Sequence, residues 1–130
     1  MDVTYHRRGT VDDAELSLLH ARAFGAESEP VPWSRRLERH SLTWITAIES
    51  GALVGFVNIV TDGGAHCFLL DTVVSPDRQG LGIGRRLVAE AVDAAREGGC
   101  QWLHVDYEDD LHGFYAGCGF RPTSAGLLRL

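Results

Sequence analysis

The stretch Val73-Val74-Ser75-Pro76-Asp77-Arg78-Gln79-Gly80-Leu81-Gly82-Ile83-Gly84-Arg85 decides the fold. It joins a β-branched apolar run, expected to be a strand, to a segment with helical periodicity, and it places glycine at every second position between them. Glycine lets the backbone turn tightly, so that successive N–H groups can point at one spot. The first turn of the following helix adds unpaired donors and the positive end of its dipole. Together these make an anion site suited to a pyrophosphate, with Arg78, Arg85 and Arg86 as candidates to add charge. Two other readings stand beside it: a glycine-rich connection that holds no ligand, and a dinucleotide-binding turn with Asp106 as the ribose-binding acid. The dinucleotide reading is disfavoured. The glycines run Gly80-x-Gly82-x-Gly84, they follow two hairpins, and too little chain remains for a doubly wound sheet.

Working upstream, His66 to Val74 reads as a strand whose Phe68-Leu69-Leu70 run implies burial on both faces. Leu53 to Val60 and Leu42 to Ile48 are further strands, rich in β-branched and aromatic residues. Thr61-Asp62-Gly63-Gly64 carries a hairpin signal, and Glu49-Ser50-Gly51 breaks the preceding pair. Val3 to His6 alternates as a short first strand. Thr10 is expected to cap a helix opened by Asp12 and Asp13, with Leu16, Leu19, Ala23 and Phe24 as its buried stripe and Gly25 as its end. Glu27 to Trp33 reads as a loop stiffened by Pro30 and Pro32, and Ser34 as the cap of a short helix through Arg39.

Working downstream, Arg85 to Glu97 is a helix with Leu87, Val88, Ala91, Val92 and Ala95 on one face, closed by Gly98-Gly99. Trp102 to Asp106 is a strand, Asp110 to Gly117 a short helix and Leu127 to Leu130 a closing strand. The order β-α-α-β-β-β-α-β-α-β describes an α/β fold: a mixed, largely antiparallel sheet flanked by helices. A single domain over residues 1–130 is expected.

The composition narrows the function. All 12 basic residues are arginine and the net charge is −6. An acidic chain without a basic stripe is a poor partner for nucleic acid, and the missing lysine excludes a nucleotide-hydrolysing P-loop. A negative surface favours cationic ligands such as amines. No apolar run is long enough to span a membrane, and the first residues lack the order of a signal peptide. A cytoplasmic protein is expected. Cys67, Cys100 and Cys118 are odd in number and lack metal-ligand spacing, so reduced structural thiols and no metal site are expected.

Two motifs together carry a family resemblance. Gln79-x-x-Gly82-x-Gly84, preceded by Val74-Ser75-Pro76 and followed by an amphipathic helix, resembles the coenzyme A signature of the GCN5-related N-acetyltransferase (GNAT) superfamily. Trp102-Leu103-His104-Val105-Asp106-Tyr107-Glu108-Asp109, followed by Phe114-Tyr115-Ala116-Gly117-Cys118-Gly119-Phe120, resembles that family's strand, loop and Phe-Tyr-x-x-x-Gly-Phe helix end. The two match in order and separation. The resemblance is specific from about residue 41 onward and topological before that.

The resemblance implies acetyl transfer from acetyl-CoA to the amine of a small molecule by direct attack. It implies that the amides of Gln79, Gly80, Leu81, Gly82, Ile83, Gly84 and Arg85 hold the coenzyme's pyrophosphate. Thr72, Val73 and Val74 would pair with pantetheine, and the Thr72 amide would face the thioester oxygen. Tyr115 matches the tyrosine near the coenzyme sulfur and is the candidate acid for the departing thiolate; its other role would be packing between Phe114 and Phe120. Asp71, out of pattern among Leu69, Leu70 and Val73, is the candidate base, since partial burial would raise its pKa. A structural carboxylate at Asp71 is the equal alternative. His66, His104, Asp106, Glu108, His112 and a relaying water also stand as possible bases.

Trp33, His40 and Trp44 are candidates to line the acceptor site, against an ordinary core role. Asp109 stands where the family commonly carries asparagine, as a contact to pantetheine or a helix cap, and Gly113 stands where alanine is usual. The competing function is a non-catalytic acetyl-CoA-binding module that regulates a partner. Another acyl group is a third reading, though no arginine lies on His66 to Val74 to receive a succinyl carboxylate. Family resemblance also makes a homodimer possible. The acceptor amine itself is not legible.

Overall fold

The computed structural model describes residues 2–25 and 30–130. β2 (Ser41–Glu49), β3 (Ala52–Thr61) and β4 (His66–Val74) are the strands with the densest β-branched and aromatic content, and they form the antiparallel centre of the sheet. β1 (Val3–Arg7) adds antiparallel to β2, and β5 (Trp102–Val105) adds parallel to β4. The sheet order is therefore β1-β2-β3-β4-β5. α1 (Asp13–Phe24) and α2 (Trp33–His40) cover one face. α3 (Ile83–Glu97) and α4 (His112–Gly117) cover the other.

Each face has its own core. Leu16 and Leu19 of α1 and Trp33 and Leu37 of α2 pack on Trp44, Phe56 and Val73. Ile83, Leu87, Val88 and Ala91 of α3 pack on Ile45, Ala47, Val57, Ile59, Cys67 and Leu69. Val92, expected on the buried stripe of α3, is only half-buried.

Several local expectations change. Asp12, not Thr10, caps α1, accepting the Glu15 N–H at 2.8 Å. Its aspartate is better placed because the helix begins one residue later, at Asp13. The buried residues of α1 are Leu16, Ser17, Leu19 and Ala21, while Ala23 and Phe24 face outward. Gly25 does end it, in the left-handed region at φ 70°. α2 starts at Trp33, one residue before the expected cap, and Ser34 lies inside it, binding Asp13 through both its N–H and its hydroxyl. The loop expected before it falls partly on residues 26–29, outside the described residues.

β4 is not buried on both faces: Cys67 and Leu69 are buried, whereas Phe68 and Leu70 are exposed. Leu127 to Leu130 forms no strand, and its leucines are exposed. Cys67 and Cys100 are not separate thiols. They form a disulfide with Cα atoms 6.1 Å apart, linking the first rungs of β4 to the connection that enters β5. Cys118 is free. Among the described residues, no helix is long and apolar enough to cross a membrane.

Candidate active site

The site begins with an irregularity in β4. Phe56 pairs with Val73 and Asn58 with Leu70, so Asp71 and Thr72 together oppose Val57 alone. This is a β-bulge, and Asp71 carries it in the left-handed region at φ 57°. The extra residue reverses the facing of the strand. Leu69 belongs to the α3 core, yet Val73 belongs to the α1–α2 core. Asp71 thereby turns toward α1, where Leu70 already points with Asn58.

There the Asp71 carboxylate is held from three elements. His20 Nε2 of α1 lies 3.1 Å from Oδ1, and Asn58 Nδ2 of β3 donates to Oδ2 at 3.3 Å. Arg36 Nη2 of α2 is 4.0 Å from Oδ2. Ser41 donates to Asn58 Oδ1 at 2.6 Å, which fixes that amide in turn. Burial pushes the Asp71 pKa up, but the hydrogen bonds from His20 and Asn58 and the charges of His20 and Arg36 outweigh it, so the net direction is down. The expectation of a raised pKa is thus corrected: hydrogen-bond donors, invisible in the sequence, surround the carboxylate.

Thr72, the next residue, faces the opposite side. Its side chain faces the Tyr115 hydroxyl. Tyr115 is 5% exposed. Its ring stacks on Tyr107 at 4.9 Å and meets Phe114 and Phe120 edge-on at 4.9 Å and 5.7 Å. Burial pushes its phenol pKa above the ordinary value, against the opposing influence of Thr72. A phenol so held is protonated at neutral pH and can donate.

Between these groups the sheet opens. Pairing of β4 with β5 runs from His66↔Trp102 to Leu69↔Val105 and stops. Leu70 to Val74 continue along β3 alone, and their outer backbone edge forms no ladder with β5. Val74 leads directly into the glycine-rich turn. Gly80 and Gly82 hold φ 78° and 87°, and a Cβ on either would meet nothing within 4 Å. Glycine is required there for conformation, and the space over the turn is clear. Arg86 is the first residue to donate into α3, to Gly82 O at 3.1 Å. The amides of Ile83, Gly84 and Arg85 before it have no carbonyl of the helix to bond.

The remaining candidates sort as follows. The Ile83 side chain is core, leaving its amide for the turn. Leu81 is exposed, and Gln79 Nε2 donates back to Val74 O at 3.4 Å. Gly84 packs against Phe114, with room for no more than a tight Cβ 3.3 Å from Cζ. Arg78 is bound to Glu49 at 2.8 Å and Arg86 to Glu90 at 3.0 Å, so neither is a free phosphate ligand. Arg85 lies over Gly117. Asp109 opens a 3-10 turn that has no side-chain cap, so it does not serve as one.

Trp33 and Trp44 are 1% and 5% exposed. Trp44 Nε1 donates to Gly9 O at 2.8 Å. Both indoles are core rather than lining. His40 is exposed at the end of α2. His66 and His104 pair with each other at 2.7 Å at the far end of β4 and β5, and His112 faces Tyr107 at 3.5 Å. None of these reaches Asp71. The residues brought to Asp71 are His20, Arg36 and Asn58. Sequence reading missed all three, because only the helix-to-bulge contact gives them meaning; a polar Asn58 within an apolar strand was the one available signal.

Residues 13–120 match the Acetyltransferase (GNAT) family. The chain belongs to that family. This GNAT chain is 31% identical over 93 residues to "Uncharacterized N-acetyltransferase ycf52" of Porphyra purpurea, covering 68% of the chain and 53% of that protein. It is 32% identical over 113 residues to "Serotonin N-acetyltransferase 2, chloroplastic" of Oryza sativa subsp. japonica, covering 85% and 56% respectively. It thus spans about half the length of these curated relatives. The GNAT fold is also that of a Trypanosoma brucei acetyltransferase, with a TM-score of 0.80, 22% identity and coverage of 99% of this chain and 100% of that one.

Proposed function

We propose that this GNAT chain transfers the acetyl group of acetyl-CoA to the amine of a small molecule. The observation that carries the reading is the open edge of β4 from Leu70 to Val74, which runs straight into a turn of unpartnered amides with Tyr115 beside it. An extended amide chain can add to that edge as a strand would. A pyrophosphate suits the amides of Gly80 to Arg85, whose glycine conformations and clear overhead space fit close approach. The family match and the serotonin acetyltransferase relative support an amine acceptor.

The chain's own groups then have defined tasks. The Thr72 amide, on the open edge at the bulge, donates to the thioester oxygen, where negative charge grows. Tyr115 gives its proton to the departing thiolate, and its buried, protonated phenol suits that direction of transfer. Gln79 and Arg85 border the pyrophosphate. Asp71, with a lowered pKa, is a weak base and a good anchor. A cytoplasmic setting supplies acetyl-CoA, and there the Cys67–Cys100 bond faces a reducing pool.

The test follows free-thiol release from acetyl-CoA across an amine panel, comparing the native chain with Tyr115→Phe. Turnover on at least one amine, slowed about 10²-fold in Tyr115→Phe with little change in acetyl-CoA affinity, is expected. Tight acetyl-CoA binding without turnover on any amine points instead to the regulatory module. Absence of binding overturns the reading.

A further inference from the structure

We propose that His20 is the general base of this transfer and that Asp71 is the residue that positions it, an inference that rests on the transferase reading above.

The ion pair between α1 and β4 is made by His20 and Asp71. Asp71 occupies a backbone region that L-residues avoid, φ 57°, and it does so at the one point where β4 carries an extra residue. The bulge delivers the carboxylate to the α1 face. Asn58 and Arg36 fix its second oxygen, leaving Oδ1 for His20. Such a local conformational cost persists where surrounding structure over-determines it.

The chemistry of the pair then follows from which atoms can donate. An ionised carboxylate only accepts, so in the neutral imidazole the proton must reside on Nε2, facing Oδ1. Nδ1 therefore carries the lone pair, and among the described residues it has no hydrogen-bond partner. Phe24 packs on the His20 ring at 4.5 Å and Trp33 at 5.2 Å, which restrains its rotation. The His20 side chain nevertheless stays 28% exposed. The charged groups facing the ring are Asp71 from β4 and, behind it, Arg36 from α2. On α1 itself, Arg22 acts on Asp77 instead.

Position completes the argument. Asp71 and Thr72 are adjacent in sequence but face opposite sides of the sheet, Asp71 toward His20 and Thr72 toward Tyr115. An amine entering from the α1 side meets His20, while the thiolate leaves on the Tyr115 side. The amine nitrogen forms its bond to the carbonyl carbon with its own lone pair, and its proton passes to His20 Nδ1. The C–S bond breaks with its electron pair on sulfur, which takes the Tyr115 proton. The imidazolium and the phenolate are then restored by proton exchange with water, so amide and thiol are the only products.

The experiment uses the full chain, acetyl-CoA and two primary amines of well-separated basicity. In the native chain, kcat/KM rises with pH through two ionisations. One moves with the amine chosen, and the other is the same for both amines. His20→Gln, whose amide can still donate to Asp71, is expected to lose the fixed ionisation and about 10²-fold or more in kcat, with KM for acetyl-CoA within about twofold. Asp71→Asn is expected to keep the fixed ionisation but to lose part of kcat, because the ring loses the carboxylate that orients it. Nitrogen-15 spectra of the neutral ring are expected to place its proton on Nε2. Persistence of the fixed ionisation in His20→Gln, or a proton on Nδ1 in the native ring, overturns the proposal while the transferase reading stands. Absence of transfer to either amine by the native chain, with acetyl-CoA bound, overturns both.

Discussion

Gly55→Ala isolates the packing that seats α3 on the sheet. Gly55 pairs with Ala47 on one side and Val74 on the other, beneath the start of α3. An added Cβ would lie 2.9 Å from Leu87 Cδ1, 3.1 Å from Ile83 Cγ2 and 3.3 Å from Ala47 Cβ. Carbon pairs settle at about 3.5–4.0 Å, so the helix must retreat by roughly half an ångström or Leu87 must leave its rotamer. Leu87, Ile83 and Ala47 are all buried, so neither movement has free space to enter. Overpacking of this kind costs about 1–3 kcal/mol. Replacing a strand glycine by alanine returns about 0.5–1 kcal/mol of backbone entropy. The expected net loss is about 1–2 kcal/mol, read in urea titrations as a lower midpoint with an unchanged slope. Because Ile83 opens α3, the same retreat displaces the free amides of the turn, and affinity for coenzyme A should fall as well. A stability equal to or above that of the native chain refutes the reasoning, since it would mean that α3 rides with slack.

Gly113→Ala should do the reverse. That position is exposed on α4, its φ is not positive and a Cβ there meets nothing, so stability should rise by up to about 1 kcal/mol in the same titration. Reduction of the Cys67–Cys100 bond reopens a loop of sequence separation 33, for which the chain-entropy relation gives about 4 kcal/mol. Thermal melts with and without dithiothreitol should differ accordingly, and coincident melts would remove the bond from the fold's support. Asp71 has a folded pKa below its unfolded one despite burial, because His20, Asn58 and Arg36 favour the charged form. Its contribution is therefore complete above about pH 4 and lost as pH falls through the folded value. Melting temperature measured from neutral to strongly acid pH should fall less steeply in Asp71→Asn than in the native chain.

The elements around the glycine-rich turn were legible because their signals are local. Alternation, β-branched runs and the spacing of Leu87, Val88, Ala91 and Ala95 each decide an element without help from distant residues. The turn itself follows from the needs of Gly80 and Gly82. What failed was set at long range. Trp33 and Trp44 stand in the chain as either lining or core, and burial against β2 and β3 decides for core. The Cys67–Cys100 bond depends on a parallel pairing that brings β5 beside β4 across the whole of α3. His20 carries no local mark at all. Its significance arises only where Asp71, at sequence distance 51, is rotated to meet it.

That rotation also makes β4 behave like a message with a shifted reading frame. Upstream of Asp71 the odd-numbered residues Cys67 and Leu69 face α3, whereas downstream Val74 faces it and Val73 faces α1. Deleting Asp71 would restore an unbroken ladder with Thr72 opposite Val57 and Val73 still opposite Phe56, so both cores would keep their residues and only the carboxylate turned toward α1 would be lost. The extra residue is thus a carrier for one polar side chain, set into the strand without altering which core its neighbours before and after it join.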